Sequence, residues 1–60
     1  MTEAPRIYTP NEVAEQLSIG ISMTRALIAS GEIKSFRIGN LVKVHEDDLR
    51  DFIDARRNQP

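Results

Sequence analysis

The chain has 60 residues, no cysteine and a formal net charge of -1. That length allows one domain, near the lower limit for a fold held by a hydrophobic core alone. The missing cysteine excludes disulfide reinforcement and thiolate metal sites. An apolar content of 40% suffices for one small core and argues against a disordered chain. No stretch is apolar enough for long enough to span a membrane, and Met1-Thr2-Glu3-Ala4-Pro5 lacks the basic-then-apolar pattern of a signal peptide. A cytoplasmic location is the expectation.

The charges are unevenly placed. Residues 1–45 carry Arg6, Arg25, Lys34, Arg37 and Lys43 against Glu3, Glu12, Glu15 and Glu32, a balance of +1. Residues 46–60 carry Glu46, Asp47, Asp48, Asp51 and Asp54 against Arg50, Arg56 and Arg57, a balance of -2. Folding can therefore separate a basic face from an acidic one. So small a basic excess predicts weak non-specific affinity for a polyanion, with tight binding left to several copies or a partner.

Residues 1–5 read as a loose tail, followed by the apolar pair Ile7-Tyr8. Thr9 is a good N-cap, Pro10 suits a first helical position, and Glu12 completes a Thr-x-x-Glu capping box. Val13, Ala14 and Leu17 then share one face of a helix about two turns long, too short to persist unless packed. Ser18-Ile19-Gly20 breaks it, with Ile19 expected to fill the angle between two helices. The second helix is predicted from about Ile21 to Ser30, stopping at Gly31, a residue suited to a left-handed helix end. Its inward stripe is Thr24, Leu27 and Ile28. Its outward stripe is Ser22, Arg25, Ala26 and Ala29. Small side chains around one arginine let a surface approach closely, with a single fork-shaped donor projecting into it.

After Ile33 the period changes from helical to alternating, as in a β-hairpin. A two-residue Gly39-Asn40 loop would pair Ile38 with Leu41 and put Val42 and Val44 opposite Phe36 and Ile38. A three-residue loop, Gly39-Asn40-Leu41, pairs Ile38 with Val42 and Phe36 with Val44, so that all four share one buried face. The second register is preferred because it buries more. It predicts Arg37 and Lys43 as outward neighbours and Leu41 near the tip. A last helix begins near His45, with Glu46, Asp47 and Asp48 in its first turn and Arg56 and Arg57 near its end, both favourable to the helix dipole. Leu49, Phe52 and Ile53 form its inner stripe, and Asn58-Gln59-Pro60 should fray.

This order predicts a mainly α fold with a small β-hairpin: a winged helix-turn-helix of three helices plus a two-stranded wing, one domain over 1–60 with its ordered core at about 7–55. The arrangement suits a helix and a hairpin laid against a DNA duplex. Arg25 is the candidate base reader, Ser22 a groove contact or local cap, and Arg37 and Lys43 candidate phosphate contacts. Arg56 and Arg57 are assigned to the helix end. Lone His45 has no second histidine or cysteine to join it at a metal, so it is assigned to the helix start. The acidic cluster is explained by helix-start electrostatics, and so small a domain offers no cleft for catalysis. The expectation is a non-enzymatic protein without metal or cofactor.

The residues now described resemble the excisionase family of small phage and plasmid DNA-binding proteins, which share a winged helix-turn-helix with MerR-type regulators. The resemblance rests on Thr9-Pro10-Asn11-Glu12-Val13-Ala14, Leu17-Ser18-Ile19-Gly20, Thr24 to Ile28, Gly31-Glu32-Ile33, Arg37-Ile38-Gly39 and the stripe from Leu49 to Ile53. It covers about residues 7 to 55. Gly20 replaces the family's usual Ser or Thr cap, Ala26 a common basic residue, Asn40-Leu41 a basic pair at the wing tip, and Val42 a frequent aromatic. The resemblance implies an excisionase, or recombination directionality factor, that binds and bends attachment-site DNA and directs a phage integrase toward excision in the bacterial cytoplasm. It implies as partners double-stranded DNA, that integrase and further copies of the chain bound cooperatively. The DNA-binding set is then Ser22, Arg25, Ala26, Arg37, Asn40 and Lys43. The rival readings are a small winged-helix transcriptional regulator and, on the strength of the negative net charge, a protein-interaction adaptor without DNA binding.

Overall fold

The computed structural model describes residues 6–59. Its elements are β1 (Ile7–Tyr8), α1 (Pro10–Leu17), α2 (Ile21–Ala29), β2 (Phe36–Ile38), β3 (Leu41–His45) and α3 (Glu46–Arg57). The expected loose tail over residues 1–5, and the fraying of Pro60, lie outside the described residues.

Local chemistry accounts for the helix ends. Thr9 accepts from the Glu12 amide at 3.1 Å, and the Glu12 carboxylate accepts from the Thr9 amide at 2.8 Å, so the capping box forms as the spacing predicts. At the far end of α1, Ser18 takes a left-handed conformation with φ 56°, and its amide donates to the Ala14 and Glu15 carbonyls. α2 has no side-chain cap at Gly20. Thr24, fully buried, instead donates its hydroxyl to the Gly20 carbonyl at 3.1 Å, which satisfies its own polar group inside the domain. Beyond Ser30, Gly31 adopts φ 85°, and the Ile33 amide returns to the Leu27 carbonyl at 3.2 Å. His45 caps α3, its Nδ1 accepting from the Asp47 amide at 3.1 Å. The histidine is thus at the helix start, as its isolation in the sequence suggests.

The core is drawn from nearly every element. Val13 of α1, Ile33 from the segment after α2, Val44 of β3 and Leu49 of α3 form its buried cluster. Tyr8, Leu17, Leu27, Ile28, Phe52 and Ile53 pack against it half-buried. The inward stripes of all three helices are therefore those read from the periodicity.

The strands depart from expectation twice. Ile7-Tyr8 is a strand, pairing antiparallel with His45 and Val44 to give a three-stranded sheet in the order β1-β3-β2. The hairpin also uses the two-residue loop, with Phe36 opposite Lys43, Arg37 opposite Val42 and Ile38 opposite Leu41. The preferred three-residue register was wrong. Gly39 has φ 60° at the first central position, which is the chemistry of a type II′ hairpin turn, and its twist matches the strands. The core has room for Val44 and part of Val42, not for four wing side chains; Phe36 and Ile38 lie exposed on the outer face. Arg37 and Lys43 consequently occupy opposite faces of the hairpin rather than standing side by side.

Ser18 is the non-glycine residue held at positive φ among those described. A left-handed residue with a Cβ costs about 1–2 kcal/mol, against about 0.5–1 kcal/mol of extra chain entropy that glycine loses on folding. Ser18→Gly should therefore stabilise the domain by roughly 0.5 kcal/mol, a rise of about 2–4 °C in Tm for so small a protein. Thermal unfolding followed by circular dichroism measures this, and a lower Tm would show that the serine side chain contributes more than its backbone strain.

Candidate nucleic-acid interface

α2 and the wing are positioned by the same core. Thr24, Leu27 and Ile28 turn inward, which leaves Ser22, Arg25, Ala26 and Ala29 exposed. Within that exposed set Arg25 is rotated toward the wing. It lines a groove with Pro10, Ile28, Ala29, Arg37 and Val42. The corrected register explains the pairing: Arg37 lies on the same sheet face as Val42 and Val44, so it points back toward α2. The floor between the two arginines is apolar, supplied by Pro10, Ile28 and Val42.

A second groove meets Arg25 from the other side of the sheet edge. It is lined by Thr9, Pro10, Arg25, Asn40, Leu41, Val42 and Lys43. β1 pairs only with His45 and Val44, so on the side away from β2 the edge of β3 from Leu41 to Lys43 has no strand beside it. The start of α1 runs past that bare edge instead. Arg25, Asn40 and Lys43 are thus brought together on one side, and Arg25 with Arg37 on the other. Ser22 and Ala26 line neither groove; they form the exposed crest of α2 beside them.

The electrostatics separate the molecule in two. The ion pairs among the described residues with a permanent cation are Arg50 with Asp47 at 3.7 Å and Arg56 with Glu32 at 2.7 Å. None involves Arg25, Arg37 or Lys43. Arg56 also lies over the Phe52 ring one turn back in α3, its guanidinium carbon 5.1 Å from the centroid, while its pair with Glu32 ties the end of α3 to the turn after α2. That contact supports the assignment of Arg56 to the helix end. The acidic residues of α3 border a different depression, where Asp48, Asp51 and Glu32 line the wall with Lys34 and Arg56. Arg25, Arg37 and Lys43 therefore stand around α2 and the wing without an ion pair among the described residues, and the carboxylates of α3 lie elsewhere.

Sequence reasoning found the residue types of this surface but missed its floor. Pro10 and Val42 reach both grooves, and nothing in their spacing announces it. Leu41, expected only near the tip, also lines the second groove. The turn pair Gly39-Asn40 was the available signal, since it names the register that brings these side chains together.

Comparison with known proteins agrees with the fold. Residues 7–57 match the family described as a helix-turn-helix domain. Over 46 residues the chain is 44% identical to a protein of Saccharopolyspora erythraea called a probable excisionase, covering 77% of this chain and 47% of that protein. The chain thus spans about half the length of the curated relative it matches. No solved structure gives a significant match. With three helices, a paired wing and a family match across 7–57, the chain belongs to the helix-turn-helix domain family.

Proposed function

We propose that the domain is a sequence-specific DNA-binding excisionase, which binds and bends attachment-site DNA to direct a phage integrase toward excision. The observation that carries the DNA part is the gathering of Arg25, Arg37, Asn40 and Lys43 around α2 and the wing, without carboxylate partners among the described residues. The integrase, the direction of recombination and cooperative binding by several copies come from the similarity to a probable excisionase. The reading is of a non-catalytic protein acting on DNA inside a bacterial cell.

On this reading the crest of α2 enters the major groove. Ser22 and Ala26 permit close approach, and Arg25 presents the bidentate donor that guanine accepts at its O6 and N7. Arg37 and Lys43 meet phosphates from opposite faces of the wing, with Asn40 at the turn between them. Few cations make each contact matter more, and adjacent copies would add to the occupancy that one copy cannot reach. A footprint on the attachment region that neighbours a cognate integrase gene tests the reading, with protection over adjacent sites expected. Protection over a promoter alone would favour a transcriptional regulator.

Arg25→Ala should lose about 1–3 kcal/mol of specific binding and relax preference at one base position. Quantitative gel retardation on a panel of single-base variants measures both effects, and an unchanged preference would remove α2 as the reader.

Arg37→Gln and Lys43→Gln should each weaken binding on all sequences alike and reduce the log–log salt slope by about one unit. Because the two side chains occupy opposite faces of the hairpin, the double variant should show the sum of the two effects. A salt titration reads the slope; a changed base preference at constant slope would mean that the wing reads sequence.

A further inference from the structure

The wing ends in an apolar pair. Ile38 and Leu41 bracket the Gly39-Asn40 turn as direct cross-strand partners, so their side chains lie on the same face of the hairpin. They are 55% and 59% exposed, against 37% for Phe36 further down the same face. One exposed leucine is ordinary on a protein surface. Two large aliphatic side chains abreast, on the part of a hairpin that projects furthest, form a directed apolar edge.

The surroundings of that edge indicate what it meets. Leu41 lines the groove shared by Arg25, Asn40 and Lys43, and among the described residues no acidic one lines it. Arg37 is the chain neighbour of Ile38 and lines the companion groove with Arg25. The apolar edge is therefore collared by cations and an amide. That collar matches a partner with anionic groups outside and flat apolar groups stacked inside, which is the chemistry of a DNA duplex seen from its minor groove. An apolar docking face for a protein would have no need of the collar.

We propose that Ile38 and Leu41 are a wedge by which the wing bends DNA, entering the minor groove and partly unstacking one base step while Arg37 and Lys43 hold the flanking phosphates. The proposal rests on the DNA-binding reading above and adds the residues and the mode of the bend. Steps that unstack easily, TA and CA/TG, should then be favoured beneath the wing although no side chain reads them by hydrogen bonds.

The test uses duplexes selected from random sequence by the unaltered chain, end-labelled for energy transfer and carrying 2-aminopurine at successive steps. The unaltered protein should shorten the end-to-end distance and raise the fluorescence of 2-aminopurine at one step beside the wing. Ile38→Thr with Leu41→Thr, which places strand-favouring β-branched side chains at both positions, should abolish the fluorescence rise and most of the shortening while leaving the salt slope unchanged. Leu41→Thr alone should give a partial loss, and it serves if the double variant has a lowered Tm. Bending and unstacking that persist in a folded variant would overturn the proposal. So would a variant that bends single sites normally and loses only the joint occupation of adjacent ones, since the tip would then contact a second copy. Failure of the unaltered chain to retard any duplex would instead remove the DNA-binding reading itself.

Discussion

The complete burial of Val44 is the constraint on which the other parts depend. A single valine at the middle strand of a small sheet reaches full burial only if α1, α3 and the segment after α2 all close over it, which they do through Val13, Leu49 and Ile33. Burying such a side chain contributes about 1.5–3 kcal/mol, a large share of the net stability available to a domain of this size. With Val44 inward, alternation sends Val42 inward and Lys43 outward. The direction of the wing, the start of α3 at His45 and the side of β3 on which β1 pairs are then no longer independent choices. The site is a consequence of the core.

This dependence explains why two arginines far apart in the sequence share a groove. Thr24, Leu27 and Ile28 fix the rotation of α2 by packing inward, and that rotation turns Arg25 toward the sheet. The same strand register that buries Val44 sets Arg37 on the inner face of the hairpin opposite Val42. The acidic cluster Glu46, Asp47 and Asp48 opens α3, where it favours the helix dipole, and none of the three lines either groove. A net charge of -1 is thus compatible with a surface on which Arg25, Arg37 and Lys43 lack carboxylate partners among the described residues. Overall charge describes the whole surface, while recognition depends on how it is divided.

Much of this was legible in the sequence wherever the signal was local. The Thr9–Glu12 capping box, the break at Gly20, the stop at Gly31 and the acidic first turn of α3 each act within a few residues, and each appears where the spacing puts it. The inner stripes are legible for the same reason, since three helical turns repeat the message. The hairpin register was not. Maximal burial favoured placing Phe36, Ile38, Val42 and Val44 on one face, whereas the turn pair Gly39-Asn40 favoured the register that forms. A small core cannot accept every apolar residue offered to it, so the turn decided. β1 is two residues long and has no period to detect; its partner is nearly forty positions away. The grooves inherit both features, and for that reason the types of the site residues were readable while their grouping was not.

The central claim is that α2 and the wing form one DNA-facing surface, with α3 turned away from it. The most direct measurement is a titration of the isotope-labelled protein with a selected duplex, followed by backbone amide shifts. The account predicts that the largest changes fall on residues 22–29 and 37–43, with residues 47–57 nearly unmoved. Changes concentrated on α3, or spread evenly over both surfaces, would contradict it.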